Sequence, residues 1–140
     1  MVQTAHDEIQ TAIYAKLAPL GFVDSQLAAL GVVGVFDFVS VVQNQPFDYI
    51  TIGDGREDPN NAFQQRGYDN RLRIHIWSRQ RNTQVPSAIL ARINTLIDQK
   101  DLTLSTQHHV STMYQNAIWV QDPDGLTIHV VAIYEIFSQE

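Results

Sequence analysis

A chain of 140 residues with 44% hydrophobic and 17% charged side chains has the composition of one folded domain, not of a disordered segment. The absence of cysteine excludes a disulfide framework and a thiol nucleophile, and no apolar run reaches the roughly 18 residues of a membrane span. The net charge of −6 disfavours general nucleic-acid binding, which depends on neutralising phosphates with Lys and Arg. The amino-terminal residues lack a signal-peptide layout, so we expect assembly in the cytosol and no membrane partner.

The first predicted element is an amphipathic helix over about residues 5–18. Ile9, Ile13, Leu17 and Leu20 recur at three- and four-residue spacing, which places them on one face. Pro19 and Gly21 end this helix. The β-branched stretch from Gly31 to Val42 predicts one or two short strands, and residues 47–52 predict another.

The next stretch, GDGREDPNNAFQQRG at residues 53–67, has no usable period and many turn formers. We therefore expect a long exposed loop here. Loops of this length inside compact domains are usually functional or disordered.

The second half alternates strands with one more helix. Residues 68–78 form the clearest strand pattern, and residues 83–99 carry the apolar stripe of a second helix with Pro86 in its first turn. Residues 102–104 predict a short strand. Two longer strands, at 110–120 and 126–137, are joined by a Pro-Asp-Gly turn.

This order predicts an α+β fold: a mostly antiparallel sheet of four to five strands with two helices packed on one face, in a single domain spanning residues 1–140. The opposite face should then be polar in a monomer, but the strand at 126–137 carries apolar residues on both sides. Such a face needs a second cover. The cover is either another copy of the chain or the segment at residues 21–42 folded over it, and the sequence does not decide between them.

Few residues suggest chemistry. His75 and His129 lie on predicted strands and could form a small metal or ligand site with Glu135, but the spacing matches no ligand motif. The acidic stretch at 54–58 lacks the ligand pattern of an EF-hand loop, and no phosphate loop, serine elbow or zinc-protease motif is present. We expect no enzyme activity, no metal and no cofactor.

One strand carries most of the basic residues. Five of the nine fall between positions 66 and 81, and in RLRIHIWSRQR the basic and aromatic side chains all occupy odd positions. The even residues Leu72, Ile74 and Ile76 should face the helices. The odd face is then solvated, or a nucleic-acid platform, or a subunit interface that meets the acidic remainder of a neighbouring copy. The acidic excess elsewhere favours the interface.

The order of these segments is similar to that of a known family. The strand end FDYITIG at 47–53, the strand LRIHIWSR at 72–79 and the hairpin DPDGLTIH at 122–129 resemble the tail-completion, or tail-terminator, family of phages with long non-contractile tails and their prophages. The resemblance runs from the first helix to the last strand. The chain departs from the family in a longer, Val- and Gln-rich stretch at 31–45.

The resemblance implies a structural protein of the virion tail, assembled in the host cytoplasm. Such proteins form a ring, typically a hexamer, at the head-proximal end of the tail, where it ends tube polymerisation and joins the tail to the head connector. DNA passes through the ring without specific binding. The alternatives are a head-closure (stopper) protein of the same neck, or less readily a small ligand-binding domain.

Two residue sets follow as hypotheses. The subunit interface would comprise Arg71, Arg73, His75, Trp77 and Arg79. The residues that face the tube or the lumen would be Asp54, Arg56, Glu57, Asp58, Asn60, Phe63 and Arg66.

Overall fold

The computed structural model describes residues 4–41, 43–61, 65–80 and 82–140. In these residues the elements are, in chain order, α1 (His6–Leu17), a 3₁₀ turn (Pro19–Gly21), α2 (Ser25–Ala29), β1 (Gly34–Asp37), β2 (Tyr49–Pro59), β3 (Gly67–Ser78), α3 (Gln84–Ile97), β4 (His108–Gln121) and β5 (Ile128–Gln139).

The five strands form one sheet in the order β1-β2-β3-β5-β4. β1 pairs with β2 in parallel, and the other three pairings are antiparallel. The predicted fold class is confirmed: the protein is α+β, with a mostly antiparallel sheet and its two long helices, α1 and α3, on one face.

The hydrophobic core lies between the helices and one side of the sheet. The even residues of β3, Leu72, Ile74 and Ile76, are at most 1% exposed, as strict alternation predicted. Four even residues of β5, Val130, Ala132, Tyr134 and Ile136, are buried beside them. The core is completed by the helix residues Ile9, Ile13, Leu17, Ile89, Ile93 and Ile97.

α2 is a short helix that periodicity did not predict, since five residues are too few to show one. Asp24 caps it by accepting hydrogen bonds from the backbone N–H groups of Gln26 and Leu27, each at 3.2 Å. The same carboxylate binds Arg92 of α3 through two hydrogen bonds of 2.9 and 3.0 Å. This contact joins α2 to α3, and it lowers the pKa of Asp24.

The predicted long loop at residues 53–67 is wrong over its first half. β2 continues through Pro59, which pairs with Tyr68 of β3. Gly53 and Gly55 do not end the strand. The pairing register with β3 shifts between Ile52 and Gly55, as in a β-bulge, and the strand then continues. A Cβ on Gly55 would lie 2.2 Å from the carbonyl oxygen of Arg71, so only glycine allows this approach.

The short strand predicted at residues 102–104 is also absent. Leu102 is 5% exposed and packs in the core, but its backbone joins no strand. An apolar alternation of three residues therefore marked a core contact, not a strand.

We call the side of the sheet opposite the helices the open face; it carries the odd residues of β3 and β5. Two irregularities in β4, between His109 and Ser111 and between Tyr114 and Asn116, change which residues lie there. The β5 residues that pair with Met113, Ile118 and Val120 lie on the open face, so these three side chains lie there too. Plain alternation along β4 had predicted Met113 on one face and Ile118 and Val120 on the other.

Candidate functional site: the open face of the sheet

The predicted basic and aromatic residues from Arg71 to Trp77 lie on the open face of β3, as the odd positions required. Arg79 follows directly after the end of β3, and Arg81 lies outside the described residues. The side chains of Arg71, Arg73 and Arg79 are about half exposed. His75 and Trp77 between them are half-buried. Arg71, Arg73, His75 and Trp77 therefore share one face of the sheet.

Each of these arginines meets an acid of its own chain. Arg71 pairs with Glu135 on β5 at 3.3 Å, and Arg73 lies 3.8 Å from Asp54 on β2.

Arg79 lies 3.6 Å from Asp124 of the β4–β5 turn, and its Nε donates to Thr127 Oγ1 at 3.2 Å. Its guanidinium also sits 4.1 Å above the ring of Phe47. The positive charge of these three arginines is therefore largely neutralised within the chain.

Two histidines and a tryptophan form a stack at the centre of the open face. The Nδ1 of His75 and the Nε2 of His129 are 2.6 Å apart, and the Nε2 of His75 is 2.9 Å from both carboxylate oxygens of Asp54. The rings of Trp77 and His129 are parallel within 12°, with centroids 3.7 Å apart. Trp77 Nε1 donates to Thr51 Oγ1 at 3.1 Å, which fixes the indole.

This geometry orders the protons in the stack. The Nε2–H of His75 donates to Asp54, so the Nδ1 of His75 is left to accept from the Nε2–H of His129 when both rings are neutral. Burial, and then the neighbouring His75, lower the pKa of His129. Both effects favour the neutral form of His129.

The histidine pair was foreseen, but its acid was not. Asp54, not Glu135, completes the trio, because Glu135 lies beside Arg71 and Asp69. Burial and then the charge of Glu135 raise the pKa of Asp69. Within the described ranges no group of three His, Asp or Glu side chains is arranged to hold a metal ion.

A small cavity of about 250 Å³ opens at the β2–β3 corner of the open face. Its lining residues are Phe38, Val41, Tyr49, Thr51, Asp54, His75 and Trp77. The segment after β1 therefore reaches this corner, as one of the two predicted covers would. It does not shield the β4 side, where Met113, Ile118 and Val120 remain 42%, 56% and 44% exposed.

The residues assigned to the tube or lumen fall into two groups. Glu57 is occupied inside the protein: it accepts hydrogen bonds from Thr4 Oγ1, the Ala5 backbone N–H and Asn70 Nδ2.

Arg56 and Asp58 form an exposed pair at 2.9 Å, and Asn60 and Arg66 are exposed near the β2–β3 connection. Asp54 belongs to the histidine stack, and Phe63 lies outside the described residues.

An uncovered sheet face with an apolar half is typical of proteins that assemble with others. Solved structures share the fold. A chain from the virion of a native gene transfer agent particle matches with a TM-score of 0.85 and 18% identity, over 99% of this chain and 100% of that one. The gp17 protein of bacteriophage SPP1 matches with a TM-score of 0.54 and 20% identity, over 96% and 91%. No curated protein sequence matches.

The family model of the tail completion protein gp17 matches residues 11–138, and the chain belongs to this family. The family resemblance seen in the sequence is thereby confirmed. The protein has a structural role in a phage tail. In the described part of the chain, no helix combines the length and apolar character of a membrane span.

Proposed function

We propose that the protein is a tail terminator: a ring of copies that caps the head-proximal end of the tail tube, ends tube polymerisation and joins the tail to the head connector. The observation that carries this proposal is membership of a tail completion family over residues 11–138. A protein that completes a tail must contact the tube, the connector and further copies of itself. A monomer with an uncovered, partly apolar sheet face offers such contacts.

The charge distribution supports a ring through which DNA passes without binding. The arginines of the open face are paired with acids of the same chain, and the chain as a whole carries −6. Phosphates would have to displace these acids, and the remaining negative charge repels DNA. We expect no DNA retardation at physiological salt, and replacing Arg71, Arg73 and Arg79 together by Ala should not change that result. Tight, steeply salt-dependent binding of the wild type would contradict the proposal.

The central test removes the protein from the particle that contains it. Without it, tails should exceed their normal length and remain detached from heads, and supplying the gene in trans should restore both features under the electron microscope. Normal-length tails that merely fail to attach would identify a head-closure protein instead. Binding of the purified protein to isolated tail tube, compared with portal-adaptor complexes, separates the same two functions.

The row on β3 remains our hypothesis for a subunit contact, and we now assign that contact mainly to two of its residues, Arg73 and Trp77. Arg73 and Trp77 present exposed or half-buried surface beside the histidine stack, so a neighbouring copy could exchange the Asp54 contact for one of its own. The double variant Arg73→Glu with Trp77→Ala should weaken ring formation in native mass spectrometry and disturb tail length. A ring and tails indistinguishable from wild type would remove these residues from the interface.

The exposed end of the β2–β3 hairpin is our candidate contact with the tube or the lumen. Arg56, Asp58, Asn60 and Arg66 project there, and Glu57 is excluded because its carboxylate is used inside the protein. Replacing Arg56 and Arg66 by Ser should reduce binding to purified tube without lowering the melting temperature. Glu8, exposed on the first helix and bonded to Thr106, provides a matched control as Glu8→Gln, which we expect to bind tube normally.

A further inference from the structure

The longest stretch without formal charge in the chain contains one edge strand of its sheet. Between Asp101 and Asp122 no Asp, Glu, Lys or Arg occurs. This stretch contains β4, HHVSTMYQNAIWVQ, which is an edge strand paired only with β5. Soluble proteins usually protect long edge strands with lysine, proline or a covering element. β4 has neither residue type.

The last six residues of β4, Asn116–Gln121, are the best candidate for a contact. The two irregularities lie before Asn116, and from there to Gln121 the pairing with β5 is regular. Ile118, Trp119 and Val120 are 56%, 43% and 44% exposed, so both sides of this edge are apolar. Exposed aromatic and aliphatic groups without charge resemble the core of a protein interface.

The opposite edge of the sheet has the same character. β1 is the edge strand there, and Val33, Phe38 and Val39 beside it are 52%, 49% and 73% exposed. From Ser25 to Phe47 the only charged residue is Asp37, which already accepts a hydrogen bond from Gln10 at 2.9 Å. The sheet therefore ends in an apolar edge on both sides, and Asp37 at the end of β1 is the one charged residue of these two segments.

The occupant of each edge follows from charge and position. Copies with a net charge of −6 repel one another wherever charged surfaces meet, and these two edges, which carry only Asp37 between them, are where copies can approach with the least repulsion. Because the edges are different and lie at opposite ends of one sheet, joining them gives a head-to-tail contact. Contacts of that kind close into rings or extend into filaments, whereas contacts between identical edges stop at a dimer.

We propose that neighbouring copies bind edge to edge, with Asn116–Gln121 of one copy packed against Phe38 and Val39, beside β1, of the next. This inference names the ring contact and so rests on the proposed function. In this arrangement the main apolar contact between copies is made by the sheet edges. The row on β3 would lie beside that contact and contribute less to it.

Site-specific crosslinking in assembled particles tests the pairing directly, because the chain has no cysteine. The double variant Ile118→Cys with Val39→Cys, treated with a short bis-maleimide, should give a ladder of covalent multimers of this chain. The control pair Ile118→Cys with Phe22→Cys should give no ladder, since Phe22 is 79% exposed but belongs to neither β1 nor β4. Dimers from Ile118→Cys alone would mean identical edges meet, and crosslinks only to another tail protein would mean that β4 binds that protein. Either result, or no crosslink, overturns the proposal.

Blocking one edge at a time provides an independent test in solution. Ile118→Lys and Val39→Lys should each weaken self-association by about tenfold or more, because an unpaired lysine would be buried in the contact. An equimolar mixture should give a one-to-one heterodimer and no ring in native mass spectrometry, since each variant keeps one intact edge. Phe22→Lys should assemble as wild type, and unchanged thermal unfolding should confirm that each variant folds. Rings formed by either blocked variant alone would contradict the edge contact.

The two proposals can fail separately. If the cysteine variant crosslinks into multimers in particles, but tails made without the protein keep their normal length, termination is refuted and the edge contact is retained. Correct tail length restored by a chain that gives no edge crosslink would retain termination and refute the edge contact.

Discussion

Glu57 gives the sharpest test of the structure, because the sequence assigned it to an external surface and the fold uses it internally. α1 begins with Ala5 as its cap residue, which has no side-chain acceptor for the first N–H groups. Glu57, 52 residues further along the chain, provides one from β2: its Oε1 accepts from the Ala5 N–H at 2.8 Å. The carboxylate also lies where the positive end of the helix dipole favours an anion.

The Glu57→Ala variant should therefore be less stable by about 2–4 kcal/mol. It removes hydrogen bonds to a charged acceptor, worth roughly 1.5–3 kcal/mol, and leaves Asn70 Nδ2 without this partner at a residue only 2% exposed. For a domain of this size the melting temperature should fall by roughly 6–14 °C. Glu57→Gln keeps one acceptor oxygen and should lose about half as much.

Asp58→Ala is the matched control. Asp58 is the next residue, its side chain is 45% exposed, and its ion partner Arg56 is 76% exposed, so its removal should cost less than about 0.5 kcal/mol. Chemical denaturation measures both variants, and hydrogen exchange at the first turn of α1 should increase only for Glu57→Ala. Equal stability of Glu57→Ala and Asp58→Ala would refute the anchoring role, as would a selective loss of tube binding with unchanged stability.

Three further outcomes follow. Ile74→Ala should destabilise the protein by about 3 kcal/mol because Ile74 is fully buried, and Ile118→Ala should cost little because Ile118 is 56% exposed; urea unfolding compares them. Asp48→Ala should cost about 2 kcal/mol, since this 4% exposed carboxylate accepts from Ser78 Oγ and the Arg79 N–H; an unchanged urea midpoint would contradict this. Because the pKa of His129 is lowered in the folded protein, the unfolded chain binds the proton first, so stability should fall as pH drops below the ordinary histidine value of about 6.5. His129→Gln should flatten that part of the pH profile, and an unchanged slope would argue against the buried neutral ring.

Strict alternation made β3 the most predictable element of the sequence. Leu72, Ile74 and Ile76 occupy the core because polar and apolar residues alternate strictly along the strand. A shift of the strand register by one residue would turn the arginines toward the core. The same alternation placed His75 and Trp77 on the opposite face. The two long helices, α1 and α3, were equally predictable, because their apolar residues repeat over three or more turns.

The failures came from contacts that local patterns do not contain. The β4 irregularities have no composition signal, so the faces of Met113 and Ile118 could not be read from their spacing. Gly-Asp-Gly at 53–55 usually marks a turn, but here the glycines let β2 pass close to Arg71 and place Asp54 beside His75. The role of Glu57 depends on residues 4 and 5, far away in sequence.

The order of pairing in the sheet also governs how the chain folds as it is synthesised. β3 lies between β2 and β5, and β5 begins fifty residues after β3 ends. While α3 and β4 are being made, β3 has one edge without its native partner, and the apolar groups meant for the core have no complete sheet to pack on. Pairings of such large sequence separation form slowly and expose unpaired edges meanwhile. Yield of soluble protein should therefore depend on chaperones and growth temperature more strongly than the stability of the finished fold would suggest.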